Sequence, residues 1–93
     1  MDFKDGIKQM INNIELYEKK SINLYSLNEN LWGLYELIDG SSNQNFSKDF
    51  HEQWDYIEEV LALEKEEQYK YSIDNTVIPK LKILLKKMDG REF

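Results

Sequence analysis

Residues 50–61 read Phe50-His51-Glu52-Gln53-Trp54-Asp55-Tyr56-Ile57-Glu58-Glu59-Val60-Leu61. Phe50, Trp54, Ile57 and Leu61 recur at intervals of four, three and four, the period of one helical face and not of a strand. At about 100° per residue they lie within about 30° of a common direction. A helix with a narrow apolar stripe is predicted over residues 48–67, with Ser47 as its N-cap.

The flanking segments obey the same period. Phe3, Ile7, Met10, Ile14 and Tyr17, with Ile11 beside them, mark a first helix over residues 2–19. Leu27, Leu31, Leu34, Tyr35 and Ile38 mark a second over residues 27–38, and Ser26 with Glu29 has the spacing of a capping box. Residues 20–25 fit either a loop or an added turn. Asp39-Gly40-Ser41-Ser42-Asn43 reads as a stop followed by a polar loop. Val77, Leu81, Leu84, Leu85 and Met88, with Ile78 adjacent, mark a last helix over residues 76–88. Pro79 then falls in its first turn, where a missing N–H costs little. Lys86 and Lys87 suit its last turn, and Gly90 its end. The chain is therefore predicted to be all-α, one compact antiparallel bundle of about four helices over residues 1–93. Trp54 belongs to the core. Trp32 lies about 100° off its stripe and is expected to be partly exposed or packed between helix ends.

Ninety-three residues and 41% hydrophobic content allow one small core. No apolar run approaches the roughly 20 residues of a membrane span. The start, Met1-Asp2-Phe3-Lys4, resembles neither a signal nor a transit peptide, and there is no cysteine. Both observations point to the cytoplasm. Lysine outnumbers arginine by 11 to 1, a bias common in AT-rich bacterial genomes.

Charge is distributed unevenly. Residues 29–67 hold 11 carboxylates against two lysines, whereas residues 68–93 hold six basic residues against three acidic ones. An acid block of this kind argues against nucleic-acid binding, which depends on lysine and arginine. It suits a basic protein partner. On the wheel of the third helix, Glu52, Asp55, Glu59 and Glu66 fall opposite the apolar stripe, at about 140° to 200°. Tyr56 and Leu63 border them. These six residues form the candidate partner-binding face, because tyrosine is a frequent interface anchor. A solvated face is the plainer alternative. The single sign of the charge and the tyrosine–leucine border favour an interface.

Nothing assembles into an active centre. There is no phosphate loop of the GxGxxG or GxxxxGK[ST] type. His51 is the only histidine, and without a second histidine or a cysteine it reads as a surface or boundary residue. Adjacent carboxylates such as Glu58 and Glu59 diverge by about 100° on a helix and do not converge on a substrate. No catalytic residue, metal or cofactor is implied. Glu64 continues the apolar stripe by three. Either it reaches solvent from the stripe's edge or the helix has begun to rotate there, or it is partly buried against a tyrosine or lysine partner.

Leu31-Trp32-Gly33-Leu34-Tyr35-Glu36-Leu37-Ile38 and Trp54-Asp55-Tyr56-Ile57-Glu58-Glu59-Val60-Leu61-Ala62-Leu63-Glu64 carry a resemblance. In their order and context they resemble the small all-helical immunity proteins of bacterial contact-dependent growth-inhibition and polymorphic toxin systems. There a helical hairpin is followed by a polar loop, a Trp-bearing helix and a Leu-rich helix. The resemblance implies a cytoplasmic antitoxin that binds one toxin domain and blocks its active site or its access to substrate. Many such toxins are nucleases with basic clefts. A helical adaptor or regulatory subunit for another basic protein, or a nucleic-acid mimic, would use the same acid block.

Overall fold

The computed structural model describes residues 2–38 and 44–90. Helix α1 is Phe3–Glu18, α2 Leu24–Leu37, α3 Gln44–Ala62, α4 Glu66–Ser72 and α5 Ile78–Met88, with a π turn at Ile73–Val77. Backbone angles stay right-handed helical through Ile73 (φ −62°, ψ −52°) and Val77 (φ −69°, ψ −50°). α4, the π turn and α5 are therefore one rod, and the described residues form an all-α bundle of four rods. α1 packs on α2 and α5, and α3 packs on α5 and the π turn.

The four stripes meet in one core. Ile7, Met10, Ile11 and Ile14 of α1 are fully buried, as are Leu27 and Leu31 of α2, Phe50 and Ile57 of α3, and Leu81 and Leu85 of α5. On α3 the buried face is Phe46, Phe50, Trp54, Ile57 and Val60, while Leu61 is only half-buried.

The helix boundaries depart from the sequence reading in four places, each for a physical reason. α2 begins three residues early, because Asn23 and not Ser26 caps it: the Asn23 side chain accepts from the Ser26 backbone N–H at 2.8 Å. That places Leu24 in the core and makes residues 19–23 the loop. α3 begins at Gln44, so Ser47 is inside it, and the Ser47 hydroxyl hydrogen-bonds the Tyr35 hydroxyl at 2.6 Å. α3 ends at Ala62 rather than at Glu67. Lys65 N–H bonds the Val60 carbonyl at 3.0 Å and Glu64 N–H the Leu61 carbonyl at 3.1 Å, with Glu64 left-handed at φ 55°. This is a Schellman cap without glycine. Lys20, at φ 64°, closes α1 in the same way.

The fourth departure is the rod. Pro79 lies within it and not at a free helix start. Proline has no N–H and its ring abuts the carbonyl four residues back. The π turn precedes it directly, and Ile78 N–H reaches five residues back to the Ile73 carbonyl. The widened turn absorbs the proline ring. It also holds the buried face in register. Tyr69, Ile73, Val77, Leu81 and Leu85 recur every four residues, a spacing that drifts about 40° per step on a regular α-helix.

Between α2 and α3 lies a continuous aromatic stack. Trp32 lies on Trp54 with ring centres 4.7 Å apart and planes 4° from parallel. Tyr35 lies on Phe50 at 5.0 Å, Phe50 meets Trp54 at 5.9 Å, and Phe3 of α1 meets Phe46 edge-on at 5.6 Å. Trp54 is 5% exposed and Trp32 39%, as their wheel positions predicted. Trp54 Nε1 is buried with no acceptor among the described residues, which offsets part of what its ring contributes.

Two stability outcomes follow. Trp54→Ala is expected to cost about 3–5 kcal/mol, nearer the lower figure because the orphaned N–H leaves with the ring, and Trp32→Ala clearly less. Denaturant unfolding followed by circular dichroism measures both. Glu64→Gly should stabilise the domain by roughly 0.5–1 kcal/mol, the left-handed penalty of a side chain less the extra chain entropy of glycine. A loss of stability on that change would contradict the strained cap.

Candidate functional site

The core stripe of α3 dictates what faces outward. Because Phe50, Trp54 and Ile57 are held inside, Glu52, Asp55 and Glu59 are exposed. Glu52, Tyr56, Glu59 and Leu63 succeed one another at four, three and four, so they form a line along the outer side. α3 carries Asp49, Glu52, Asp55, Glu58 and Glu59 against Lys48 alone. Among the described residues, Glu52, Asp55 and Glu59 have no lysine or arginine within ion-pair distance. The nearest titratable contact is His51 Nδ1, 3.8 Å from Asp55 Oδ1, too long for a hydrogen bond. His51 otherwise packs edge-on against Tyr35, Phe50 and Trp54, at the boundary of the core.

Positive charge collects on another element. α5 carries Lys80, Lys82, Lys86 and Lys87 and no carboxylate. Of these, Lys82 Nζ pairs with Glu18 Oε1 at 2.8 Å. The negative surface of α3 is therefore uncompensated locally, and its field extends into solvent.

The predicted border residues do more than flank the carboxylates. Tyr56, Glu59 and Leu63 line a cavity of about 140 Å³ with Val60 and Tyr69. Tyr56 is half-buried, and its ring meets that of Tyr69 at 6.4 Å and 88°. Leu63 is 54% exposed and stands in the turn after α3, not on the helix itself. The cavity exists because the Glu64 cap folds α4 back beside α3.

Glu66 does not join this face. α3 has already ended, so Glu66 opens α4 and lines a different hollow, with Tyr17, Lys20, Ser21 and Lys70 on the α1–α2 side. Tyr69, which the wheel of α3 could not reach, lines the cavity at the border of the face beside Tyr56 and Glu59. Its four-residue spacing to Ile73, Val77, Leu81 and Leu85 was the available signal. Glu64 is exposed, which settles its two readings in favour of solvent, although by ending the helix and not by lying at the stripe's edge.

A tightly bonded polar cluster lies at the π turn. Tyr17 donates its hydroxyl proton to Asp74 Oδ1 at 2.5 Å. Lys70 Nζ is 3.5 Å from Asp74 Oδ2 and 5.7 Å from the Tyr17 ring centre. Burial, then the Asp74 carboxylate, then Glu66 hold the Tyr17 pKa well above the ordinary tyrosine value. A phenol that keeps its proton this firmly is neither base nor nucleophile at neutral pH. Among the described residues no group of three or more histidine, aspartate or glutamate side chains is placed to hold a metal ion. No helix among them is long and apolar enough to cross a membrane.

No protein-family model matches the chain, and neither a curated protein nor a solved structure shows significant similarity to it.

The Tyr17–Asp74 bond has a pH signature. The folded state raises the pKa of Tyr17 above its unfolded value of about 10, so its contribution is complete below that pH and is lost as pH rises beyond it. Denaturant titrations from neutral to strongly alkaline pH should show a steeper loss of stability in the parent than in Tyr17→Phe. Identical slopes would remove the assignment.

Proposed function

We propose that this protein is an immunity protein that binds a cognate toxin domain with a basic cleft and neutralises it through the outer face of α3. One observation carries the reading: Glu52, Asp55 and Glu59, exposed and without a lysine or arginine partner among the described residues, lie on the same surface as the Tyr56–Leu63–Tyr69 cavity. Charge supplies long-range attraction and the cavity a place for an anchor. The resemblance of the helical hairpin, Trp-bearing helix and Leu-rich helix to small helical immunity proteins supports a toxin as the partner. Inhibition on this reading is steric and electrostatic. The acid face covers the basic cleft that would otherwise take the substrate, and no chemistry by the immunity protein is needed. The interface so proposed includes Tyr69 and leaves out Glu66, which lines the hollow beside Tyr17 and Lys70.

The test begins with the gene immediately upstream. The C-terminal domain of a large secreted protein encoded there is expressed and its binding followed by stopped flow. Association should slow as salt rises, because the screening length shortens to about 8 Å at physiological strength. Asp55→Lys with Glu59→Lys should slow it about ten-fold further while the thermal melt stays unchanged, since both side chains point away from the core. Tyr56→Ala should act chiefly on dissociation. An unchanged on-rate and salt dependence in the double-lysine variant would reduce the acid face to a solvated surface. A toxin domain that fails to bind at all, with another basic protein binding in its place, would favour the adaptor reading.

A further inference from the structure

From the geometry of the cavity beside Glu59 we infer that it is a receptor for a single arginine side chain of the basic partner; this rests on the acid-face reading and names the chemistry of its anchor. The cavity is bounded by Tyr56, Glu59, Val60, Leu63 and Tyr69 and measures about 140 Å³. That is too small for a drug-sized ligand, whose pockets occupy roughly 300–1,000 Å³, and suits one side chain.

Its lining is of three kinds. Val60 and Leu63 give an apolar floor against which a methylene stem packs. Tyr56 and Tyr69 stand at 88° to each other and form an aromatic corner. Glu59 supplies a carboxylate at the rim, exposed and without an ion-pair partner among the described residues. An occupant complementary to all three has a long apolar stem and a cationic, planar head. Arginine meets each condition. Its guanidinium stacks on one ring while its N–H fork reaches the carboxylate, and it is more weakly hydrated than an ammonium. The surrounding Glu52 and Asp55 select for positive charge at longer range. A neutral apolar side chain would leave Glu59 desolvated without compensation.

Blocked tripeptides with a central arginine, lysine or citrulline serve as probes against the whole chain. The Val60 and Leu63 methyl signals and the tyrosine ring signals are followed by NMR. The arginine peptide should give saturable shifts at Val60, Leu63, Tyr56 and Tyr69. The lysine peptide should bind roughly two- to five-fold more weakly, the share that ring stacking contributes at an exposed site. Citrulline, isosteric with arginine but uncharged, should give no saturable shift. Tyr69→Leu should erase the preference for arginine over lysine. Glu59→Gln, at an exposed position that leaves the fold intact, should weaken arginine binding and keeps the test decisive if Tyr69→Leu fails to fold. Shifts spread evenly along α3 with arginine and lysine alike, or no saturable shift at these four residues, would overturn the inference. The toxin experiment fails separately. If association still slows on reversing Asp55 and Glu59 while the cavity stays silent to arginine, the acid face stands and only the receptor falls.

Discussion

The ring stack between α2 and α3 sets everything that the outer surface can do. Trp32 on Trp54, Phe50 between Trp54 and Tyr35, and Phe46 edge-on against Phe3 tie three helices together through ring contacts. Aromatic side chains bury a large area and tolerate little rotation in such an arrangement. α3 is thereby fixed about its own axis as well as along it. A rotation by one residue would bring Asp55 toward the core position of Trp54, which an unpaired carboxylate cannot occupy. The exposure of Glu52, Asp55 and Glu59 is the other side of that constraint. It needs no separate explanation, and only their single sign and their company ask for one.

The parts of the fold legible in the sequence were those fixed by apolar period alone. The stripe of α1 from Phe3 to Tyr17, the core of α2 from Leu27, the burial of Trp54 and the half-exposure of Trp32 all followed from 3.6-residue geometry. What escaped was set by local chemistry with more than one solution, or by contacts distant in sequence. Asn23 and Ser26 are both competent caps, and only the burial of Leu24 decides between them. Lys20 and Glu64 end helices in a left-handed conformation that side chains seldom adopt, so reading for glycine could not find them. Lys65, Glu66 and Glu67 are good helix formers and hid the break. Pro79 suits the first turn of a separate helix by sequence alone, whereas here a π turn lets the helix run through it.

The same error shaped the candidate site. With α3 extended to residue 67, Glu66 fell on the acid face by arithmetic, and Tyr69 belonged to no element. Once the chain turns at Glu64, Glu66 opens α4 near Tyr17 and Lys70, and Tyr69 lies against Tyr56. Glu52, Asp55, Tyr56 and Glu59 kept their place because they depend only on the phase of α3, and Leu63, in the turn just past its end, stays beside them. The sixth, Glu66, depended on where the helix ended. The cavity, which needs two helices, was out of reach of any single-helix wheel.

The strained cap and the cavity are one structural fact seen twice. A left-handed glutamate costs about 1–2 kcal/mol relative to a residue free to relax. It also fixes the angle at which α4 leaves α3, and with it the right angle between the Tyr56 and Tyr69 rings. A flat acid surface attracts many cations weakly. An aromatic corner beside an unpaired carboxylate discriminates among them by shape. On the proposed reading, charge on Glu52 and Asp55 would act over a Debye length and govern encounter, whereas the corner would act only at contact and govern residence. The two functions rest on different elements, the first on the phase of α3 and the second on the turn that follows it. On that reading the residues proposed to set selectivity are Tyr56, Glu59, Leu63 and Tyr69, with Glu59 shared between attraction and contact.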